Sequence, residues 1–295
     1  MKTEINGETG TIGIIGGNIK KSLSPLLHNE LLKYYSLNNC YLPFQISENQ
    51  IKVIVEWIRA LNIKEMNVTA PFKEKIISFM DNIEESAFRV GAMNTVINKN
   101  GILWGYNTDL EGFKRSLQVE GKMDIKGKNA IVLGAGGAAR AIIYALCEEN
   151  TKEISIFNRT LDKAKKIQKE YRAFFPNCLL QIFSLEDRIM QDKINHADFL
   201  INTTSLGSYP NIDLNPLPEN IIIPDYIMAY DLIYNPAKTL FLRKAEKEGA
   251  KIMNGGLMLA YQAVESFSLW TGIEPSQKVI NKLIRKMNEE IISVN

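Results

Sequence analysis

The stretch that most constrains the fold is KNAIVLGAGGAARAIIYALC, beginning at Lys128. An apolar, β-rich run ends in a cluster of glycines and alanines, Gly134 to Ala139, and a stretch with helical spacing follows. In a strand, turn and helix of this kind each small residue has a reason. Gly134 permits the tight turn, Gly136 lets the backbone approach a pyrophosphate, and Ala139 stands where a third glycine would allow close helix packing. A glycine cluster by itself also fits a plain strand-helix turn; the strand before it and the helix after it favour a dinucleotide site. Arg140 and the glycines interrupt this window too much for it to span a bilayer.

With 295 residues the chain is long enough for two domains. From about Gly127 the pattern predicts a doubly wound domain of about six strands: the strand before Gly134, ISIF, CLLQIF, ADFLINTT, IMAYDLIY and AKIMN, with helices from about Leu161 and from Ala237 to about Gly249. Before it, strands at TIGIIGG, CYLPFQI and EMNVT alternate with helices at SPLLHNELLKYYSL, SENQIKVIVEWIRAL and APFKEKIISFM, which implies a largely parallel sheet. NTVINKNGILWGYN, with Lys99, Asn100 and Gly101 at its centre, reads as a β-hairpin. GLMLAYQAVESFSLW and the last helix, VINKLIRKMNEEII, are expected to return to the first domain. The expected division is residues 1–110 with 258–295, and residues 111–257.

The second strand of a dinucleotide domain ends beside the adenosine ribose, where an NAD enzyme usually places an acid. Here ISIF is followed by Asn158, Arg159 and Thr160. A guanidinium offers forked donors to a phosphate, so Arg159 points to NADP. The plainer reading is that Asn158 and Thr160 cap the next helix and Arg159 points into water.

In the first domain, NVTAPFKEK puts Lys73 on the first turn of an expected helix, beside the positive end of the peptide dipoles. An ammonium there needs a negative partner. GAMNT and GYNTDLEG flank the hairpin and bring Asn94 and Asp109 to the same end of it. Thr108 with Glu111 also fits a capping box, in which Asp109 is only a first-turn acid. Ser22 and Ser24 are two apart on extended chain and suit a carboxylate, although Ser24 before Pro25 also reads as an ordinary N-cap. His28 reads as a structural helix residue.

Taken together, SLSP at Ser22, NVTAPFK at Asn67, GAMNT at Gly91, GYNTD ending at Asp109, GAGGAAR at Gly134, NRT at Asn158, INTTSLG at Ile201, DLIYNP at Asp231 and GGLMLAYQA at Gly255 resemble the shikimate dehydrogenase family, in the family's order along nearly the whole chain. Met93, where the family often has a branched aliphatic residue, and Leu161 after NRT are small departures. The resemblance implies an α/β protein of two domains, an N-terminal substrate domain with a mainly parallel sheet and a C-terminal Rossmann-type NADP domain, with the active site in the cleft between them. It implies an oxidoreductase performing the reversible NADPH-linked reduction of 3-dehydroshikimate to shikimate. Lys73 and Asp109 would be the catalytic pair. The substrate carboxylate would meet Ser22 and Ser24, and its hydroxyls Thr69, Asn94, Asp109 and Gln262, with Tyr234 approaching from the cofactor side. Gly134, Ala135, Gly136, Gly137 and Ala138 would cradle the pyrophosphate, and Asn158, Arg159 and Thr160 the ribose phosphate. Asn202, Thr203, Leu232, Gly255 and Met258 would hold the nicotinamide end.

The rival within the family is an NAD-dependent quinate/shikimate dehydrogenase, which calls for an acid just after the Asn-Arg pair; the nearest acid here is Asp162. A silent nucleotide-sensing protein would be free to lose Lys73 or Asp109. A folate-linked dehydrogenase fits the two-domain plan but not the serine pair, GYNTD or NRT. Net charge is +2 with no block of like charges, which argues against nucleic acid. The histidines, His28 and His196, are isolated and offer no zinc site. Scattered Cys40, Cys147 and Cys178 suit reduced thiols in the cytoplasm, and MKTEINGETG lacks a signal peptide's apolar core. A monomer or a homodimer is expected.

Overall fold

The computed structural model describes residues 5–120 and 123–294, so the first four residues of MKTEINGETG lie outside it. The chain divides into two compact units. One runs to Gly112 and includes Leu259–Met287; the other is Phe113–Met258 with the stretch from Asn288.

The first unit carries a six-stranded sheet of β1 (Gly10–Gly16), β2 (Asn39–Gln45), β3 (Glu65–Val68), β4 (Asn82–Ile83), β5 (Thr95–Lys99) and β6 (Ile102–Tyr106), ordered β2-β1-β3-β5-β6-β4. β1 pairs in parallel with β2 and β3, and β4 with β6, whereas β3-β5 and β5-β6 are antiparallel. Pro43 is tolerated in β2 because that strand is at the sheet edge. The β5-β6 hairpin turns on Asn100 (φ 54°) and Gly101 (φ 89°), the two left-handed positions that an Asn-Gly turn supplies. Helices α1 (Ser24–Tyr34), α2 (Ile51–Ala60), α3 (Glu85–Val90) and α4 (Asp109–Arg115) follow in the chain. Ile54, Val55 and Ile58, at helical spacing on α2, pack with Ile15, Val68, Phe72 and Leu103 in one core. Each such side chain contributes roughly 1.5–3 kcal/mol on full burial.

The second unit is an all-parallel sheet of β7 (Asn129–Leu133), β8 (Glu153–Phe157), β9 (Leu179–Phe183), β10 (Phe199–Asn202), β11 (Met228–Asp231) and β12 (Lys251–Asn254), ordered β12-β11-β10-β7-β8-β9. Chain order reverses between β7 and β10, which makes the sheet doubly wound as the sequence predicts. Connecting helices are α5 (Gly137–Glu148), α6 (Leu161–Arg172), α7 (Met190–Ile194) and α8 (Leu240–Lys247). Ala139 to Cys147 of α5 are all buried, and a second core of Leu133, Phe157, Leu200, Ala229, Phe241 and Leu242 includes α8, as a parallel sheet covered by helices requires. Helix α9 (Gly256–Thr271) starts in this unit and continues in the first; α10 (Gln277–Val294) closes the chain. No helix among the described residues is long and apolar enough to cross a membrane.

Candidate active site

Lys73 does not sit on an α-helix. The chain turns after Thr69, whose carbonyl accepts from the Phe72 N–H at 3.0 Å, and only Lys75–Phe79 is helical, as a 3₁₀ segment. The reason is tertiary: the Lys73 carbonyl, which a helix would turn toward residue 77, accepts the Met93 N–H at 2.9 Å. What answers the ammonium is Asp109, the first residue of α4. Lys73 Nζ donates to Asp109 Oδ2 at 2.6 Å, with side chains 14% and 6% exposed. At that burial a carboxylate is held only by partners.

The other Asp109 oxygen accepts from Asn94 Nδ2 at 3.1 Å. Asn94 also accepts the Thr108 N–H on Oδ1 at 2.7 Å and donates to Gln262 Oε1 at 3.2 Å. Helix α4 is capped from Asn107, whose Oδ1 accepts the Leu110 N–H, while the Thr108 hydroxyl faces Asn94 and Ser266. Behind this shell Ser266 Oγ meets Thr95 Oγ1 at 3.0 Å and accepts from Asn67 Nδ2 at 3.1 Å, and Asn67 Oδ1 accepts from the Tyr41 hydroxyl at 2.8 Å. All are buried, so every polar group in the chain of contacts depends on its neighbours. Sequence pattern gives Ser266 no role, although its spacing of four from Gln262 puts both on one face of α9.

Ser24 is not the N-cap of α1. Leu23 holds that position, Ser24 is already helical, and the Ser24 N–H donates to Ser22 Oγ at 3.3 Å. No side chain caps the helix, and the two serines stand on either side of the Leu23 N-cap at one helix start. Thr69 follows β3 directly, its methyl close above Gly16. His28 lies buried and stacked on Tyr41 at 4.3 Å, and desolvation lowers its pKa to about 3, which keeps it neutral. Seven of the eight substrate candidates thus belong to the first unit; Tyr234 belongs to the second.

All the cofactor candidates lie in the second unit. Gly134 has φ +112°, a conformation that suits glycine, and a Cβ there would stand 2.5 Å from Thr203 Oγ1. Gly136 is the N-cap of α5 with nothing within 4 Å of its Cβ position, so the backbone there faces open space at a helix start whose N–H groups suit a phosphate. Thr160 holds the N-cap position of α6, as the plainer reading expects, but makes no side-chain cap bond, and Asn158 Nδ2 donates to the Thr160 carbonyl at 2.7 Å. Arg159 is exposed. A guanidinium and no carboxylate at Asn158 to Thr160 fit a ribose that carries a phosphate. Gly255 passes against Leu232: a Cβ would stand 1.9 Å from the Leu232 carbonyl oxygen.

Asp231, at the end of β11, holds the loop after β10. Its Oδ1 accepts Asn202 Nδ2 and the Ile233 N–H, both at 3.0 Å, and its Oδ2 accepts the Thr239 hydroxyl at 2.6 Å. Asn202 Oδ1 in turn takes the Thr204 N–H and hydroxyl. Burial raises the Asp231 pKa to about 7 against these donors. The folded state therefore binds a proton that the unfolded chain has released, and Asp231 contributes stability below about pH 4 that is lost as pH rises to about 7. Denaturant titrations across that window should fall by about 4 kcal/mol on this account. Asp231→Asn, with the Thr239 hydroxyl turned to accept, should flatten the slope; an unchanged slope would exclude Asp231 as its source.

This geometry can be set beside known proteins. The sequence model described as the shikimate dehydrogenase substrate binding domain matches residues 14–96, that of shikimate / quinate 5-dehydrogenase residues 116–210, and that of the shikimate 5'-dehydrogenase C-terminal domain residues 257–285. The shikimate dehydrogenase (NADP(+)) of Caldanaerobacter subterraneus is 44% identical over 269 residues, 91% of this chain and 94% of the relative. The crystal structure of the Thermus thermophilus enzyme in complex with NADP(H) and shikimate aligns with a TM-score of 0.81 at 32% identity, covering 94% of this chain and 99% of that one. That of the Listeria monocytogenes enzyme, in complex with shikimate and NAD, aligns at 0.84 and 34%, covering 95% and 98%. Domain matches in chain order, and identity of this size over nearly the full length, agree with the motifs: the chain belongs to the shikimate dehydrogenase family.

Proposed function

We propose that this protein catalyses the reversible NADPH-dependent reduction of 3-dehydroshikimate to shikimate, a step toward the aromatic amino acids. The observation that carries the reading is the buried Lys73–Asp109 ion pair at 2.6 Å, fixed from behind by Asn94. NADPH, when bound, supplies the hydride. Hydride addition to a ketone builds negative charge on oxygen, so a proton donor and a positive charge must stand beside it. Lys73 Nζ serves as both, and in the oxidation direction its neutral amine takes the hydroxyl proton. Asp109 keeps the ammonium charged until the transfer and aims it; Asn94, by holding the other carboxylate oxygen, fixes that aim. Ser22 and Ser24 take the substrate carboxylate, Thr69, Asn94, Asp109 and Gln262 its hydroxyls, and Tyr234 the side facing the cofactor.

Residues 1–110 with 258–295 form the substrate and catalytic part and 111–257 the NADP part, a division supported by the substrate-domain match over 14–96. Gly134 to Ala138 receive the pyrophosphate, Asn158 to Thr160 the ribose phosphate, and Asn202, Thr203, Leu232, Gly255 and Met258 the nicotinamide end. Free cysteines and a biosynthetic role support a cytoplasmic location, with the enzyme a monomer or homodimer.

The second reading is an NAD-linked quinate/shikimate dehydrogenase, favoured by the middle domain match and by the NAD in the Listeria complex. Initial rates of shikimate and quinate oxidation, each with NADP and with NAD, decide between them. Fast turnover of shikimate with NADP alone is expected. Comparable quinate or NAD rates would transfer the assignment to the second reading, and no turnover of either would leave a nucleotide-sensing protein. Arg159→Ala should raise KM for NADP by roughly 10–100-fold, the worth of a charged hydrogen bond, with kcat and the KM for NAD little changed. Equal effects on both cofactors would remove Arg159 from the phosphate.

A further inference from the structure

Two of the three cysteines, 31 residues apart in sequence, meet in the second unit. Cys147 is near the C-terminal end of α5 and Cys178 stands just before β9. Their sulphurs are 3.3 Å apart, with the Cys147 thiol directed at Cys178 Sγ and the Cys178 thiol facing the Thr151 carbonyl at 3.6 Å. Both stretches of backbone are anchored: the Cys178 N–H donates to the Phe175 carbonyl, the Thr151 N–H to Leu146, and the Leu179 N–H to Lys152. A surface cavity of about 390 Å³ is lined by both cysteines together with Thr151, Lys152, Phe175 and Pro176. The pair is thus held in contact at the floor of an opening that admits a small molecule. Nothing in the proposed chemistry uses it.

We propose that Cys147 and Cys178 are a redox site that closes reversibly to a disulfide, with hydrogen peroxide as the oxidant. The Cys178 thiolate attacks one peroxide oxygen and becomes a sulfenic acid, releasing hydroxide, which is protonated to water. Cys147 then attacks the Cys178 sulphur; the S–S bond forms, the S–O bond breaks, and a second water leaves. Two thiols lose two protons and two electrons, and one peroxide becomes two waters. Dithiothreitol reverses the closure by exchange. The order of attack follows from the contact: the hydrogen bond from Cys147 lowers the Cys178 pKa, whereas that bond and burial raise that of Cys147. Closure would tie off the loop that contains β8, Arg159 and α6.

The test uses the reduced full-length protein, exposed to hydrogen peroxide and then labelled with N-ethylmaleimide under denaturing conditions. Intact mass should show one label, on Cys40, where the reduced protein takes three. Peptide mapping should give a Cys147–Cys178 linked pair that dithiothreitol abolishes, and Tm should rise by roughly 5–10 °C, as closing a loop of this length implies. Cys147→Ser should trap a sulfenic acid at Cys178 that dimedone captures, while Cys178→Ser should leave Cys147 open to N-ethylmaleimide. Three labels after peroxide, sulfinic acid without the linked peptide, or linkage through Cys40 would each overturn the proposal.

Discussion

Lys73→Ala is expected to lower kcat for shikimate oxidation by roughly 10³-fold while KM moves only a few-fold. Proton transfer by a positioned group contributes about 10²–10⁴-fold, and in the proposed mechanism the same ammonium steadies the charge that forms on oxygen. Both act in the transition state, so the loss falls on kcat. The substitution also leaves the Asp109 carboxylate, 6% exposed, with Asn94 and without its cation. Removing one partner of a buried pair costs about 3–5 kcal/mol, so unfolding must be followed alongside the kinetics. Lys73→Arg separates the two effects, because a guanidinium keeps the charge but does not release its proton. It should fold with the carboxylate paired and remain slow. Near-normal turnover in Lys73→Ala, with a folded protein, would sink the assignment of Lys73 as proton donor. Asp109→Asn should also be slow, and the double variant should be little worse than Lys73→Ala alone if the residues act as one unit, as proposed.

The second large effect separates two glycines of one turn. Gly134→Ala would force a side chain into φ +112° and set its Cβ 2.5 Å from Thr203 Oγ1, and that hydroxyl is itself committed to the Leu133 carbonyl at 2.7 Å. Backbone strain of about 1–3 kcal/mol and overpacking of about 1–3 kcal/mol add, and Tm should fall by roughly 10 °C. Gly136→Ala meets nothing within 4 Å, so stability should stay within about 1 kcal/mol. In the proposed site its methyl nevertheless enters the space assigned to the pyrophosphate, and NADP affinity should drop on the order of 10-fold or more. Thermal melts paired with calorimetric NADP titrations read both. If Gly136→Ala binds NADP as the parent does, the phosphate does not approach there.

Much of this was legible because it is local. Apolar periodicity marks each strand of the second unit, and Asn100-Gly101 names its own turn. Partnership across the chain was less so. APFKEKIISFM has helical spacing, but a bond from Met93 draws Lys73 out of a helix, and no pattern within those eleven residues contains that bond. Ser24 before Pro25 looks like a cap, but the helix starts one residue earlier, with Leu23 at the N-cap. Lys73 and Asp109 could be matched by charge, since an unfavourable ammonium asks for a partner; Ser266 could not, because a hydroxyl between Asn67 and Thr95 asks for nothing in the sequence. The two thiols are likewise invisible until β8 and α6 fold between them.

The position of Ser266 sets a timetable for synthesis. Asn67, Thr95 and Thr108 emerge from the ribosome early, but the hydroxyl that joins them is on α9, after the whole of Phe113–Met258 has been made. At typical elongation speeds that interval is roughly 7–30 s. The polar shell of the unit begun first is therefore completed only after the parallel sheet of the second has been made, and a nascent chain stalled before Leu259 would hold every strand of that sheet while Asn67, Thr95 and Thr108 still lacked the Ser266 hydroxyl.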